Sequence, residues 1–463
     1  MTAPRLLIIG LDCMAPELVF ERWRSDLPNL SRLMAEGSYG RLESSIPAIT
    51  VPAWSCMMTG RDPGELGIYG FRNRANRGYQ KMAIADGRAV KFPRLWDLLG
   101  EAGWTVAALS VPGTSPPYPV KGSLVSCFLT PNTDAPYTHP PELAKQIQTW
   151  LPEFMLDVPH FRSENKAEIL ANIHKLGDQR FELAGRLIER DAPDFLMFVD
   201  MGVDRIHHAF WKPMDPRHPQ HEPGSAFANA IHDYYAHVDD RVGTLLGQCS
   251  DETAVLVVSD HGAQPLMGGI CLNEWLIQAG YLALKEMPAE PTSLDEVAVD
   301  WSRTKAWGAG GYYGRIFLNV KGREPQGVIP LKEYEAERSR LVEKLAALPG
   351  PNGEDLHVKP FKPQQIYQKV RGVAPDLLVY FDDLAWRSVG IVGNGGAIYT
   401  TNNDTGPDDA NHAPLGLMIF HDPKQPKGGQ LLEGAQLYDI LPTLLQRYGL
   451  AAPAGLRGKI LPV

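Results

Sequence analysis

The sequence predicts an α/β protein with a doubly wound, largely parallel sheet between helices and an inserted cap. Apolar runs alternate with stretches of helical periodicity through the first 260 residues. Those runs (RLLIIGL at 5–11, DFLMFV at 194–199 and AVLVV at 254–258) are apolar on both faces, as strands covered on two sides require. Asp12, Asp200 with Asp204, and Asp260 with His261 fall at or just past the ends of such runs, where open parallel sheets bind ligands.

In chain order, a helix is expected at 28–36, stopped by Gly37, and another at 92–102 leading into a strand at 105–111. The Pro-rich stretch 112–160 reads as an irregular surface excursion. Residues 166–190 carry apolar side chains at helical spacing and feed the strand at 194–199, and a helix at 225–247 feeds the strand at 254–258. From 281 to 368 the rhythm changes to short charged helical pieces around 331–348, Gly-rich turns and a strand at 315–319. This is the expected cap, inserted into a core made of 1–280 and 369–463. The core is expected to resume with strands at 375–381 and 415–420, separated by a polar loop at 390–411, and to close with a helix at 437–448.

A formal charge of −9 argues against a nucleic-acid polymer or an anionic membrane surface as partner. It leaves an anionic small substrate open, because bound cations can reverse the local field. The five cysteines are scattered without a C-x-x-C pair, so neither a disulfide framework nor a zinc ribbon is indicated. The apolar run at 6–11 is short and interrupted by Asp12, which suits a buried strand and not a secretory signal. No apolar stretch approaches a membrane span, so a reduced, cytoplasmic protein is expected.

The stretch 46–71, IPAITVPAWSCMMTGRDPGELGIYGF, is too rich in Pro and Gly for a long helix and too apolar for a linker. Thr50 presents a hydroxyl at the start of a short helix, with Pro52 near the first helical position. That hydroxyl suits an N-cap, or a nucleophile whose alkoxide helix amides and a metal would stabilise. Asp204 and His208, four apart, share one helix face and can grip one cation; His207 would point about a quarter-turn away. Asp200 is a rival carboxylate that a strand-end amide can satisfy. Asp260-His261-Gly262 follows a fully apolar strand, and an unpaired buried carboxylate there is costly. Asp12 and His412, each singly a cap or loop residue, complete the set. Three aspartates, three histidines and one threonine at strand ends or loop–strand junctions suffice for two divalent ions. Oxygen and imidazole without thiolate suits zinc, manganese or iron.

The order strand-Asp12, Thr50-x-Pro52, Asp204-x-x-x-His208, Asp260-His261-Gly262 and a late His412 resembles the alkaline phosphatase superfamily. The branch it is most similar to is that of type I phosphodiesterases/nucleotide pyrophosphatases and predicted phosphohydrolase/phosphomutase-like bacterial proteins. The opening LLIIGLD, the run PNLSRLMAEGSYGRLESSIPAITVPAWSCMMTGRDPGELGIYGF and the closing YDILPTLLQRYGL share that likeness, so it spans the core. The resemblance implies an alkaline phosphatase-like core with Asp204, His208 and His412 on one ion. Asp12, Asp260, His261 and the Thr50 oxygen would hold the other, zinc being the first candidate. It implies a phosphodiesterase or pyrophosphatase of a small phosphate ester, acting through a phospho-threonine. A phosphomonoesterase or phosphomutase on the same core and a binding protein without turnover are the alternatives. Family members place a phosphate-contacting asparagine after residues resembling Gly67-Ile68. Here Tyr69-Gly70-Phe71-Arg72 intervene before Asn73, so Arg72 and Asn73 both stand as substrate contacts. Sulfatases carry Cys or Ser with a following x-Pro-x-Arg; Thr50 cannot become formylglycine and Trp54 replaces the arginine.

The cap segment 307–315 combines aromatics, glycines and a cation. It reads either as a substrate-facing loop using Tyr312 and Arg315 or as packing around a glycine hairpin.

Overall fold

The computed structural model describes residues 5–463. Its centre is a ten-stranded sheet in which Ala254–Val258, Leu6–Leu11, Phe195–Asp200, Val106–Leu109 and Gly122–Val125 lie side by side. These five are mutually parallel. Every side chain of the three innermost strands is buried. Helices cover both sides, so the continuous apolar runs meet the demand of a sheet with no solvated face. Leu415–His421 turns antiparallel beside Ala254–Val258, and Ser38–Glu43 runs antiparallel outside it. Parallel register places Leu11 beside Asp200 and Gly10 beside Val258, which brings the three polar strand ends to one edge.

The expected helices are present at Pro28–Glu36, Leu95–Glu101, Lys166–Asp191 and Ala230–Leu246. The stretch 112–160 departs from its reading as irregular surface. Gly122–Val125 and Thr138–His139 are the last two strands at one side of the main sheet, and Leu143–Trp150 is a helix. Strands this short, set among prolines, carry too few residues to show a period.

A second hydrophobic cluster gathers around a four-stranded sheet, ordered Ala306–Ala309, Gly314–Leu318, Leu377–Tyr380, Lys359–Phe361. The apolar run at 375–381, expected to resume the core, therefore pairs with the cap strand Gly314–Leu318. Its composition suits any buried strand; only the pairing tells the two sheets apart. A two-stranded ladder of Gly262–Pro265 and Ala410–Ala413 sets Ala263 opposite His412. It joins the segment after Asp260-His261 to the last histidine. Among the described residues, no helix is long and apolar enough to cross a membrane.

Candidate metal centre

Three chain segments leave the main sheet and converge. Asp12 follows the first strand, and its Oδ2 accepts a 2.6 Å hydrogen bond from Trp54 Nε1. That approach needs Gly10, where a Cβ would stand 2.7 Å from Trp54 Cη2. Asp204 and His208 lie on the helix Gly202–Met214, and Asp204 Oδ1 is 3.3 Å from His208 Nε2 and 3.6 Å from His412 Nε2. Asp260 Oδ2 lies 3.1 Å from His261 Nε2, while its Oδ1 accepts from the Cys13 amide at 3.2 Å. Gly262 allows the tight bend that follows, since a Cβ there would stand 2.3 Å from the Leu415 carbonyl. The candidate side chains form two groups able to hold a cation, Asp204 with His208 and His412, and Asp12 with Asp260 and His261. A third group, Cys13 with His261 and His412, overlaps both; Cys13 was not weighed as a ligand from sequence.

Thr50 opens the helix Thr50–Thr59, whose N-cap position is Ile49, and no side chain caps it. The N-cap role considered for Thr50 is thus not the one it plays. Pro52 stands third in the helix, where its missing N–H is still one of the unpaired ones. The buried Thr50 Oγ1 instead faces His261 Nε2 at 3.4 Å.

The surroundings fit cations. Asp12 Oδ1, Asp204 Oδ1, Asp260 Oδ2, His208 Nε2 and His412 Nε2 are buried with no hydrogen-bond partner. Five such atoms in one cluster are expensive unless something positive meets them. Burial, with Asp204 as the next cause, pushes the Asp12 carboxyl well up; burial and Asp12 do the same to Asp260. Asp204 goes the other way: burial opposes ionisation, yet His208, His412 and Arg205 hold it well below the usual carboxylate range. Burial and His412 keep His261 neutral, and burial lowers His412 as well. Neutral imidazoles that turn their Nε2 atoms toward the cluster are the form that ligates metal. Their Nδ1 atoms are committed to backbone carbonyls, His261 to Gly262 at 3.2 Å and His412 to Ala48 at 3.0 Å.

The rivals are occupied elsewhere. His207 Nε2 faces the Tyr235 hydroxyl at 2.9 Å. Asp200 accepts from the Gly202 amide and the Tyr234 hydroxyl, both at 2.8 Å.

Of the four expected substrate contacts, Arg72, Tyr312 and Arg315 line a cavity of about 840 Å³ that also reaches Ile49, next to Thr50. The His412 ring is stacked between His261 at 3.8 Å and Tyr312 at 4.1 Å. Arg315 donates to the carbonyls of Arg72 and Gly310. Asn73 is not on the cavity wall; its amide closes a turn, accepting from Tyr69 N at 2.8 Å and donating to Gly70 O at 3.0 Å. The 307–315 segment is a hairpin between paired strands, and it sets Tyr312 against His412.

Sequence reading missed the support around these groups. Asp408 Oδ1 lies 2.6 Å from His208 Nδ1. Its Oδ2 meets Arg162 at 3.0 Å and Arg387 at 3.2 Å. Arg205 bonds Asp204 Oδ2 and is anchored on Asp157 at 2.7 Å, leaving Asp204 Oδ1 for the site. Asp408 carried a signal, an acidic pair just ahead of His412 in DDANH. Arg162 and Arg387 carried none, yet both line the cavity together with Arg72, Arg74 and Arg315.

A sequence model of the type I phosphodiesterase / nucleotide pyrophosphatase family matches residues 6–408. Among solved structures, the chain is similar to phosphonoacetate hydrolase from Sinorhizobium meliloti 1021 in complex with phosphonoformate. There the identity is 16% and the TM-score 0.61, covering 95% of this chain and 94% of that one. It is similar to human ectonucleotide pyrophosphatase / phosphodiesterase 5 at 14% identity and a TM-score of 0.57, covering 98% and 97%. An inactive murine form of that protein in complex with AMP gives 12% and 0.55, covering 97% and 96%. At such identities the likeness is one of fold. No curated protein sequence matches the chain. The family match runs through Asp12, Thr50, Asp204, His208, Asp260 and His261, and the fold is that of these alkaline phosphatase-like enzymes: the chain belongs to the type I phosphodiesterase / nucleotide pyrophosphatase family.

Proposed function

We propose that this protein is a metal-dependent phosphoric-ester hydrolase, a phosphodiesterase or pyrophosphatase of small molecules, acting through Thr50. One observation carries the reading: two candidate ligand groups lie together, the buried Thr50 hydroxyl faces His261 of one of them, and five of their atoms have no hydrogen-bond partner. Asp204, His208 and His412 would hold one divalent ion, and Asp12, Asp260, His261 and Thr50 Oγ1 the other. Zinc is the first candidate for this donor set, with manganese or iron as alternatives. When bound, such a pair supplies positive charge to a developing alkoxide and to the phosphoryl oxygens.

Thr50 Oγ1 gives up its proton to solvent and attacks phosphorus, and the bond to the leaving oxygen breaks with its electron pair, the leaving group departing as the oxyanion or taking a proton from water. Water then hydrolyses the phospho-threonine, restoring the hydroxyl. Trp54 holds Asp12 and Arg205 holds Asp204, so the carboxylates keep their aim through both steps. A diester needs room for a second organic group, and the cavity beside Thr50 supplies it. Arg72 is the discriminating residue, since a cation aimed at a third phosphoryl oxygen would favour monoesters instead.

The test is turnover by metal-loaded protein of p-nitrophenyl phosphate, bis-p-nitrophenyl phosphate, a nucleoside p-nitrophenyl phosphate, a pyrophosphate, phosphonoacetate and a sulfate ester. Diesters are expected to show the higher kcat/KM, and the sulfate ester almost none. A monoester preference that Arg72→Ala erases would move the assignment to a monoesterase or mutase. Binding of two ions without turnover of any substrate would leave a binding protein.

A further inference from the structure

Arginines reach the cavity wall from separate segments, and their charges are not equally balanced. Arg162 and Arg387 share the Asp408 carboxylate, and Arg387 also faces Asp404 at 3.5 Å. Arg74 is buried against Glu324 at 3.5 Å. Arg72 and Arg315 have no carboxylate within ion-pair distance among the described residues. Arg315 donates to the main-chain carbonyls of Arg72 at 2.5 Å and Gly310 at 2.9 Å. Neutral carbonyls fix a guanidinium in place without cancelling its charge. Of the described carboxylates lining the cavity, Asp404 pairs with Arg387 and the exposed Asp295 has no basic partner, so cation remains in excess.

Both residues stand on paired backbone, Arg315 half-buried and Arg72 exposed. Arg315 belongs to the strand Gly314–Leu318, where it stands opposite Ala309. Arg72 opens a two-stranded ladder opposite Ile84, and its carbonyl is what Arg315 holds. The two residues are thereby tied to each other and to paired backbone. A neutral organic group filling the cavity would take water from these guanidinia and return no charge, which is unfavourable.

Resting on the hydrolase reading above, we infer that Arg72 and Arg315 bind a second anionic group, a carboxylate or phosphate, on the organic substituent of the substrate. The favoured substrates are then phosphoric esters whose organic part is itself an anion. Guanidinium forks suit either oxyanion through charge-assisted hydrogen bonds.

The experiment uses the metal-loaded full chain and two matched diesters sharing a 4-nitrophenyl leaving group, 2-carboxyethyl 4-nitrophenyl phosphate and its neutral amide. The carboxylate is expected to have the higher kcat/KM by about tenfold or more. That ratio is expected to fall several-fold in Arg72→Gln and in Arg315→Lys. A 2-phosphoethyl ester in a third arm separates a phosphate preference from a carboxylate one. Calorimetric titration of both matched esters into Thr50→Ala reads the same order from binding alone. An amide that is turned over and bound as well as the carboxylate overturns the anion site and leaves the hydrolase standing. A ratio unchanged in both variants removes Arg72 and Arg315 from it. If neither ester is turned over, the calorimetric order alone decides the anion site; equal binding of both, or binding of neither, overturns it, and the hydrolase reading is judged on the wider substrate panel.

Discussion

Asp408 Oδ1 stands 2.6 Å from His208 Nδ1, with both side chains buried. The contact decides which face of the imidazole meets the cluster, because Nδ1 is committed and Nε2 is left for the site. Burial opposes a proton on His208, but Asp408, Tyr312 and Asp204 together raise its affinity well above the usual value. Arg162 holds Asp408 and also donates to the Tyr312 hydroxyl at 2.9 Å, and Tyr312 stacks on His412. Both histidines of one ligand group are thus supported through a single guanidinium.

Asp408→Asn keeps the shape and removes the charge. It is expected to weaken divalent-ion affinity roughly 10- to 100-fold, the usual effect of altering a carboxylate behind a ligating histidine. Competition against a chromophoric chelator measures it, and an unchanged affinity would refute the supporting role.

Thr50→Ala is expected to remove nearly all turnover while changing stability by less than about 1 kcal/mol, since the hydroxyl makes no cap bond to lose. Thr50→Ser, which keeps the oxygen, is expected to retain partial activity. Intact-mass analysis of quenched turnover checks for the phosphorylated form. An active Thr50→Ala protein would end the nucleophile assignment.

Strong chelation is expected to abolish hydrolysis and lower the Tm, with zinc or manganese restoring both. The ligands come from distant segments, so ions held only by the folded chain must stabilise it. Elemental analysis should find two ions per chain. Fewer than one, with activity insensitive to chelators, would sink the mechanism.

Gly10→Ala would place its Cβ 2.7 Å from Trp54 Cη2 and 2.8 Å from Val199 Cγ2. Overpacking of this kind costs about 1–3 kcal/mol, measurable by urea denaturation. It also displaces the indole that holds Asp12, so ion affinity should fall with stability. A variant as stable as wild type would show that the Trp54 packing can relax.

Stability should also fall in mild acid. Burial, with Lys212 as the next cause, lowers the His218 pKa from 6.5 to about 4. Between those values the unfolded chain binds the proton and the folded chain does not. The contribution is therefore intact above pH 6.5 and is lost as pH drops toward 4. In Tm scans, His218→Gln should flatten that part of the profile relative to wild type. Parallel profiles would contradict it.

The sequence by itself determined the layered α/β core, because unbroken apolar runs can be buried only in a sheet covered on both faces. It also offered Asp12, Asp204, His208, Asp260, His261 and His412 as candidate ligands, through their places at strand ends or loop–strand junctions and the resemblance of their order to a known superfamily. Tertiary structure alone decided three things. It assigned the 375–381 run to the smaller sheet, because strand composition reports burial and not the identity of the neighbour. It freed the Thr50 hydroxyl from capping, because a shift of one residue in a helix start changes which atom meets the end amides. It brought Arg162 and Arg387 from distant segments to the Asp408 carboxylate behind His208. Charges brought together only by folding leave no period or spacing in the chain, so their partnership exists in three dimensions alone.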